Sequence, residues 1–295
     1  MIKIEGVVRL DEPMAEHTSF RIGGPADIYV APGDEREAAM VQAMCDRESV
    51  PCFLLGGGTN ILVADKGVRG VVLDLSRMGG IAVKGTSITV QGGTPISDVA
   101  AAALESSLSG IEFAFSLPGS VAGAVWMNAR CYEAEISDIL SFVEYLDPDF
   151  TPRRYVMKKA DWAYKKSPFQ AIRGAILSAG FTLVPGDPER IKAEMQDHRQ
   201  DRERKGHFLF PCAGSVFKNN RAFGTSTGKL IDSLGLKGTR AGGAQVAPFH
   251  GNIIVNADNA RADDVLKLIE LLEREVRLRL GFELEREVIL VGDWA

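Results

Sequence analysis

Three stretches of this chain carry residue types at spacings that can do chemistry. The first is Leu54-Leu55-Gly56-Gly57-Gly58-Thr59-Asn60-Ile61-Leu62-Val63, a glycine turn between two apolar runs. Glycines let the backbone approach a bulky ligand, and successive N–H groups in such a turn can point at one phosphate. It departs from the dinucleotide fingerprint, because Ile61 stands where G-x-G-x-x-G requires its last glycine. A second loop of the same character, Leu117-Pro118-Gly119-Ser120-Val121-Ala122-Gly123-Ala124, runs into a predicted helix over 120–129. A helix start of that kind suits a pyrophosphate, and two such loops can hold one long ligand between them. The competing explanation is structural: a plain turn for the first loop, and for the second a helix packed closely through Gly123 and Ala124.

The second stretch is Ala213-Gly214-Ser215-Val216-Phe217. It is not G-x-S-x-G, so a hydrolase nucleophile elbow is disfavoured, and a serine after glycine is by itself an ordinary turn residue. The third is the C-terminal run Leu284-Glu285-Arg286-Glu287-Val288. In a strand, Glu285 and Glu287 point to one face, and spacing alone does not choose between them. Gly224-Thr225-Ser226-Thr227-Gly228-Lys229-Leu230 imitates a P-loop, but it is one residue short and has Leu where the magnesium-binding hydroxyl belongs. The 4 cysteines form no C-x-x-C pair and the 4 histidines are scattered, which argues against a zinc site and for small buried thiols.

The elements that must position these residues follow a mixed pattern. Strands are predicted on either side of the Gly23-Gly24-Pro25 turn within 18–30, then at 52–55, 71–75, 81–84, 88–91, 140–146, 154–157 and 175–183. Asp34 with Glu37 resembles a capping box opening a helix that ends near Ser49. Thr94 and Pro95 open another, stopped by Gly110. The densely charged run 188–205 reads as a solvated helix at a domain boundary. Beyond it lie helices at 227–234 and 263–280, a strand at 253–255 and a final strand at 284–290. Hairpins and helices without strict alternation indicate an α+β fold.

A chain of 295 residues has room for two or three packed units, and 45 % apolar with 25 % charged residues is ordinary for a globular protein. A net charge of −5 disfavours a non-specific nucleic-acid binder. No apolar run approaches the ~20 residues of a membrane span, and Met1-Ile2-Lys3-Ile4-Glu5 lacks the basic head of a signal peptide. A cytoplasmic protein is expected.

Taken together, several stretches resemble one family in order. His17-Thr18-Ser19-Phe20-Arg21-Ile22-Gly23-Gly24, 55–63, 117–128, 164–167, 213–219, 228–232, 242–246 and 284–288 are similar to the UDP-N-acetylenolpyruvoylglucosamine reductases, in the shorter of that family's two forms. The resemblance runs from about residue 15 to 292 and implies a two-lobed FAD-binding domain of the vanillyl-alcohol-oxidase (PCMH) type over 1–188, with lobes at about 1–78 and 79–188. A smaller α+β substrate-binding domain follows over 189–295, its C-terminal strand returning to the active site. It further implies FAD and NADPH as cofactors and reduction of UDP-N-acetylglucosamine enolpyruvate to UDP-N-acetylmuramate in peptidoglycan precursor synthesis. No metal is implied, and a monomer is expected.

By the same resemblance, Gly56, Gly57, Gly58, Thr59, Asn60, Gly119, Ser120, Gly123 and Ala124 hold FAD. Ser215 is the proton donor, with Lys218 near in sequence to assist it, and Glu287 is the catalytic acid. Tyr164, Asn219 and His250 contact the sugar nucleotide. Hydride addition to an alkene conjugated with a carboxylate accumulates negative charge, so such a site needs charge stabilisation and a proton source. The family's Tyr-Arg-x-Ser is here Tyr164-Lys165-Lys166-Ser167, which assigns the charge-stabilising role to Lys165 without the planar fork of arginine. Arg130-Cys131 and Glu133-Ala134 also replace the small residues usual after Met127-Asn128. Two alternatives are a flavin oxidase or dehydrogenase of the same fold, and a non-catalytic flavin-binding paralogue. The first lacks a His or Cys in the first glycine loop to tether flavin, and the second gives no reason for both Ser215 and Glu287.

Overall fold

The computed structural model describes residues 4–295; residues 1–3, where the signal-peptide expectation partly falls, lie outside the described residues. The chain forms two compact units. One contains Ile28–Gly57 and Gly70–Asp201 together with the residues up to Leu10, and the other Asp11–Asp27, Gly58–Arg69 and Arg202–Ala295. Strands and helices mix in both, as the α+β expectation requires. The α-helices among the described residues are α1 (Glu35–Arg47), α2 (Ile96–Glu105), α3 (Val121–Met127), α4 (Pro188–Arg204), α5 (Thr227–Ser233) and α6 (Ala262–Leu280).

The first unit is built on a five-stranded antiparallel sheet in the order Pro152–Val156, Leu140–Leu146, Ile176–Thr182, Ser87–Gln91, Ile81–Lys84. Its inward residues Ile88, Val90, Val143, Ala179 and Phe181 share one core with Ile96, Val99 and Ala103 of α2 and Val121 and Val125 of α3. Each large aliphatic buried there contributes roughly 1.5–3 kcal/mol, which fixes α3 and hence both of its ends. A second cluster joins Ala38, Val41 and Cys45 of α1 to Val30, Val71 and Leu73, and Cys52–Leu55 pairs parallel with Val68–Asp74.

In the second unit, a four-stranded antiparallel sheet runs Cys212–Ser215, Ile253–Asn256, Ala244–Val246, Arg240–Ala241. Val265, Leu268, Ile269, Leu272 and Val276 give α6 the apolar stripe its sequence predicts, packed with Ala244, Val246 and Ile254. Gly281, at φ 73°, ends that helix in the left-handed conformation. The closing strand, Ile289–Val291, lies parallel to Ile61–Val63.

Four local expectations are corrected. Asp34 does accept the Glu37 N–H at 2.9 Å, but the Glu37 carboxylate does not reciprocate. It collects the N–H groups of Gly33 (2.7 Å), Gly6 (3.1 Å) and Glu5 instead. Those bonds, Gly33's foremost, hold its carboxyl below the usual carboxylate range. Thr94 does not cap α2: its hydroxyl takes the Gly80 N–H at 3.0 Å, and Pro95 occupies the cap position. Residues 18–22 form no strand, because the Thr18 hydroxyl donates to the Ile22 carbonyl at 2.9 Å and closes a turn that buries Phe20 and Ile22. Glu285 and Glu287 lie before the last strand, in an extended segment held by one isolated bridge between Phe217 and Arg286.

Candidate active site

In the first unit the two glycine loops meet. A Cβ on Gly57 would sit 2.6 Å from the Gly119 Cα, and one on Gly56 would sit 2.6 Å from the Ser120 Oγ. Only glycine lets the two backbones come this close. Ser120 caps α3, its Oγ accepting the Gly123 N–H at 3.2 Å. The Ala124 N–H closes the first helical turn on the Ser120 carbonyl at 2.9 Å. The N–H groups of Gly123 and Ala124 are thus spent within the helix, whereas those of Gly57, Gly119 and Ser120 donate to no acceptor among the described residues. Unspent backbone donors beside a helix start fit an anionic, pyrophosphate-bearing cofactor such as FAD.

The far end of α3 carries the Tyr164–Lys165 segment. Asn128, left-handed at φ 43°, ends the helix and donates from Nδ2 to the Ala163 carbonyl at 3.0 Å. The Trp126 carbonyl accepts from the Ser167 hydroxyl at 2.7 Å and from Gln170 at 3.1 Å, and Gln170 also reaches the Lys165 carbonyl at 3.0 Å. Between the bridged residues Ala163 and Lys166, Lys165 turns the chain with φ 57°. One short helix therefore joins the glycine loops to the Tyr164–Lys165 turn. The Arg130 guanidinium lies 5.8 Å from the centre of the Tyr164 ring.

In the second unit, hydrogen bonds join the Glu287 segment to Asn60 on one side and to Val216, the residue after Ser215, on the other. Cys212 pairs with Val255 and Ser215 with Ile253, so one extra residue bulges from the Cys212–Ser215 strand. Gly214 takes it up with φ 69°, and no atom lies within 4 Å of where its Cβ would be. Such bulges re-aim the side chain that follows, here Ser215. The next residue, Val216, accepts the Glu287 N–H at 2.7 Å. Asn60 then grips the same segment from the other side: its Nδ2 donates to the Glu287 carbonyl at 3.0 Å, and its own carbonyl accepts the Ile289 N–H at 3.0 Å. Lys218, expected to assist Ser215, pairs with Glu285 at 2.6 Å.

Asn219 is exposed, and its Oδ1 accepts the Thr227 N–H at the start of α5 at 2.9 Å. His250 is linked to the Ser215 segment through Asn252, a residue the sequence reading missed. Asn252 is 2 % exposed; its Oδ1 accepts the Phe217 N–H at 2.9 Å and its Nδ2 donates to the Phe217 carbonyl at 2.7 Å. Its backbone carbonyl accepts the Val216 N–H at 2.9 Å, and its own N–H donates to the His250 Nδ1 at 3.1 Å. Burial, with Lys205 and Lys237 nearby, pushes the His250 ring below the usual imidazole pKa, so Nδ1 stays an acceptor near neutral pH. The signal for Asn252 was a lone amide opening the apolar run Ile253-Ile254-Val255, which must be satisfied if buried. Burial raises the Cys212 thiol above its ordinary pKa, and it raises Cys52 to about 12, which leaves both thiols protonated and unreactive.

The chain's similarities agree with this geometry. Residues 26–152 match the family described as FAD binding domain, and residues 205–291 match that described as UDP-N-acetylenolpyruvoylglucosamine reductase, C-terminal domain. A protein from Treponema denticola named UDP-N-acetylenolpyruvoylglucosamine reductase is 45 % identical, over 98 % of this chain and 95 % of its own. One of the same name from Caldanaerobacter subterraneus subsp. tengcongensis is 41 % identical, with the same coverage of both, 98 % and 95 %. The crystal structure of the reductase from Thermus caldophilus superposes with a TM-score of 0.83 at 30 % identity, covering 98 % of this chain and 100 % of that one. The FAD-binding match and this superposition agree with the vanillyl-alcohol-oxidase type of α+β fold expected from the sequence. The chain belongs to the UDP-N-acetylenolpyruvoylglucosamine reductase family.

Proposed function

We propose that this chain reduces the enolpyruvyl ether of UDP-N-acetylglucosamine to the lactyl ether, UDP-N-acetylmuramate, as an FAD- and NADPH-dependent step of peptidoglycan precursor synthesis. The observation that carries the reading is the bond from the Glu287 N–H to Val216, which ties the segment bearing a carboxylic acid to the one bearing Ser215. FAD, when bound, would supply hydride chemistry at the methylene carbon, with NADPH as the source of reducing equivalents. The N–H groups of Gly57, Gly119 and Ser120, with Gly56, Gly58, Thr59, Gly123 and Ala124 shaping the loops, hold the cofactor's pyrophosphate and ribityl chain. Asn60 serves the site by fixing the Glu287 segment.

The Ser215 hydroxyl gives its proton to the carbon beside the carboxylate. A serine hydroxyl is a weak acid, so its proton must be replaced by an acidic group, the carboxyl of Glu287, whose N–H binds the Val216 carbonyl next in sequence to Ser215. Lys165 offsets the negative charge that builds on the enolpyruvyl carboxylate during addition. Tyr164, Asn219 and His250 position the sugar nucleotide. FAD binding is assigned to residues 1–188 and substrate binding to 189–295, with the protein acting as a cytoplasmic monomer. No helix among the described residues is long and apolar enough to cross a membrane.

The test is NADPH oxidation by the purified FAD-loaded protein with the enolpyruvyl sugar nucleotide, read by absorbance and by product mass. One lactyl ether formed per NADPH consumed is expected. NADPH oxidation indifferent to the sugar nucleotide refutes the reading.

A further inference from the structure

The chemistry proposed for the site needs a group that recognises the planar carboxylate of the substrate. Lys165 is a compact point charge, strongly hydrated and without a planar fork. A guanidinium binds a carboxylate through two parallel N–H···O bonds and fixes its plane as well as its charge. Arg130, beside the Lys165 turn, fits this task.

Arg130 follows the Asn128 cap of α3 by two residues, and its guanidinium lies 5.8 Å from the centre of the Tyr164 ring, next in sequence to Lys165. It is half-buried and forms no ion pair among the described residues. Of the carboxylates nearby, Glu135 and Asp138 bind Lys159 at 3.0 and 2.7 Å, and Asp138 also feels the Arg130 charge without pairing with it. The arginine is nevertheless held in place. Arg130 and Cys131 pair with Glu135 and Ala134 in a short hairpin whose two turn residues, Tyr132 and Glu133, both have positive φ, 50° and 68°. Left-handed backbone at two successive bulky residues is strained and persists only where the surroundings impose it. Here Tyr132 is locked by its hydroxyl, which donates to the His198 carbonyl at 2.9 Å and to Asp201 at 3.0 Å, and by stacking on the His198 ring at 3.8 Å. A guanidinium on an aromatic face keeps its N–H edges outward, available for a planar anion.

We propose that Arg130, braced on the Tyr164 ring beside Lys165, is a substrate-specificity residue that grips the enolpyruvyl carboxylate and supplies the bidentate contact Lys165 cannot make. This rests on the reductase reading above. Tyr164 then acts as the platform for the guanidinium.

The experiment compares two ligands on the oxidised, FAD-loaded protein by calorimetry: the enolpyruvyl ether and UDP-N-acetylglucosamine, which keeps the diphosphate and lacks the carboxylate. Arg130→Gln is expected to weaken the enolpyruvyl ligand roughly 10- to 100-fold and to change the carboxylate-free ligand by less than about twofold. Arg130→Lys should recover part of the loss. Bound FAD content and thermal midpoint report that each variant is folded; a purely structural role would weaken both ligands alike. Equal weakening of the two ligands would move the contact to the diphosphate and overturn the proposal, as would unchanged affinity for the enolpyruvyl ether. Turnover of that ether by the unaltered protein tests the underlying reading separately, since its absence sinks the reductase assignment whatever Arg130 binds.

Discussion

Asn252 offers the sharpest test of how the fold holds Ser215. Between Val216 and Lys218 the chain bonds to the 285–287 segment through two pairs: the Glu287 N–H to Val216 (2.7 Å), and the Lys218 N–H to Glu285 (2.8 Å). Phe217 lies between them in the opposite orientation, so its own N–H and carbonyl face Asn252, which satisfies both. Phe217 is 0 % exposed. Asn252→Ala leaves two buried backbone groups unpaired, at about 1–3 kcal/mol each, or about 2–6 kcal/mol together. That is a large share of the ~5–15 kcal/mol by which a domain is stable. Asn252→Asp, nearly isosteric, leaves no cavity and keeps an acceptor for the Phe217 N–H, but sets a buried carboxylate oxygen against the Phe217 carbonyl, so it should destabilise without cavity formation. Urea denaturation gives the stability, and flavin reoxidation by the enolpyruvyl ether gives the effect on Ser215. Both variants should lose stability, and reoxidation should slow in whatever folded fraction remains. If Asn252→Asp lies within about 0.5 kcal/mol of the unaltered protein, the size expected of an inconsequential surface change, the clamp argument is wrong.

Gly57→Ala places a Cβ 2.6 Å from the Gly119 backbone, so the purified variant should carry markedly less FAD per chain; normal flavin content would mean the loops do not need this contact. Ser215→Ala and Glu287→Gln should each leave flavin reduction by NADPH intact and slow reoxidation by the enolpyruvyl ether about 10²–10⁴-fold, the usual worth of a positioned acid; equal slowing of both half-reactions would contradict the assignment. His250 titrates below its ordinary value in the folded protein, so the unfolded chain takes up a proton first. Stability is therefore full above about 6.5 and falls as pH drops from there toward the lowered folded pKa. His250→Gln should flatten that limb of the urea midpoint against pH, and an unchanged limb would assign it to other groups.

Much of this architecture was legible because its signals are local. The apolar period of 263–280 predicted α6 and its Gly281 stop, Ser120 announced the start of α3, and the hairpin about Gly85 needed only alternation and one glycine. Where distant partners compete, sequence reasoning fails. Glu37 has the spacing of a reciprocal cap, yet N–H groups from the start of the chain claim its carboxylate. Thr94 is drawn from its expected helix by Gly80. The candidate site could be proposed only as residue types in order, and spacing could not rank Glu285 against Glu287; the Lys218–Glu285 pair and the Glu287–Val216 backbone bond are contacts across about 70 residues of chain that spacing does not encode. The bulge at Gly214 and the clamp of Asn252 depend on strand register, which no single stretch encodes. Arg130 stood out in the sequence only as a departure from small residues, and its meaning depends on the Tyr164 ring beneath it.

The most direct measurement is an anaerobic single turnover of the FAD-loaded protein. The flavin is reduced with one equivalent of NADPH and then mixed with the enolpyruvyl sugar nucleotide, while flavin absorbance is followed and the product identified by mass. The account predicts prompt reoxidation with formation of the lactyl ether, which also establishes that a chain with Lys165 in place of arginine turns over. Flavin that reduces with NADPH and stays reduced in the presence of the sugar nucleotide contradicts it.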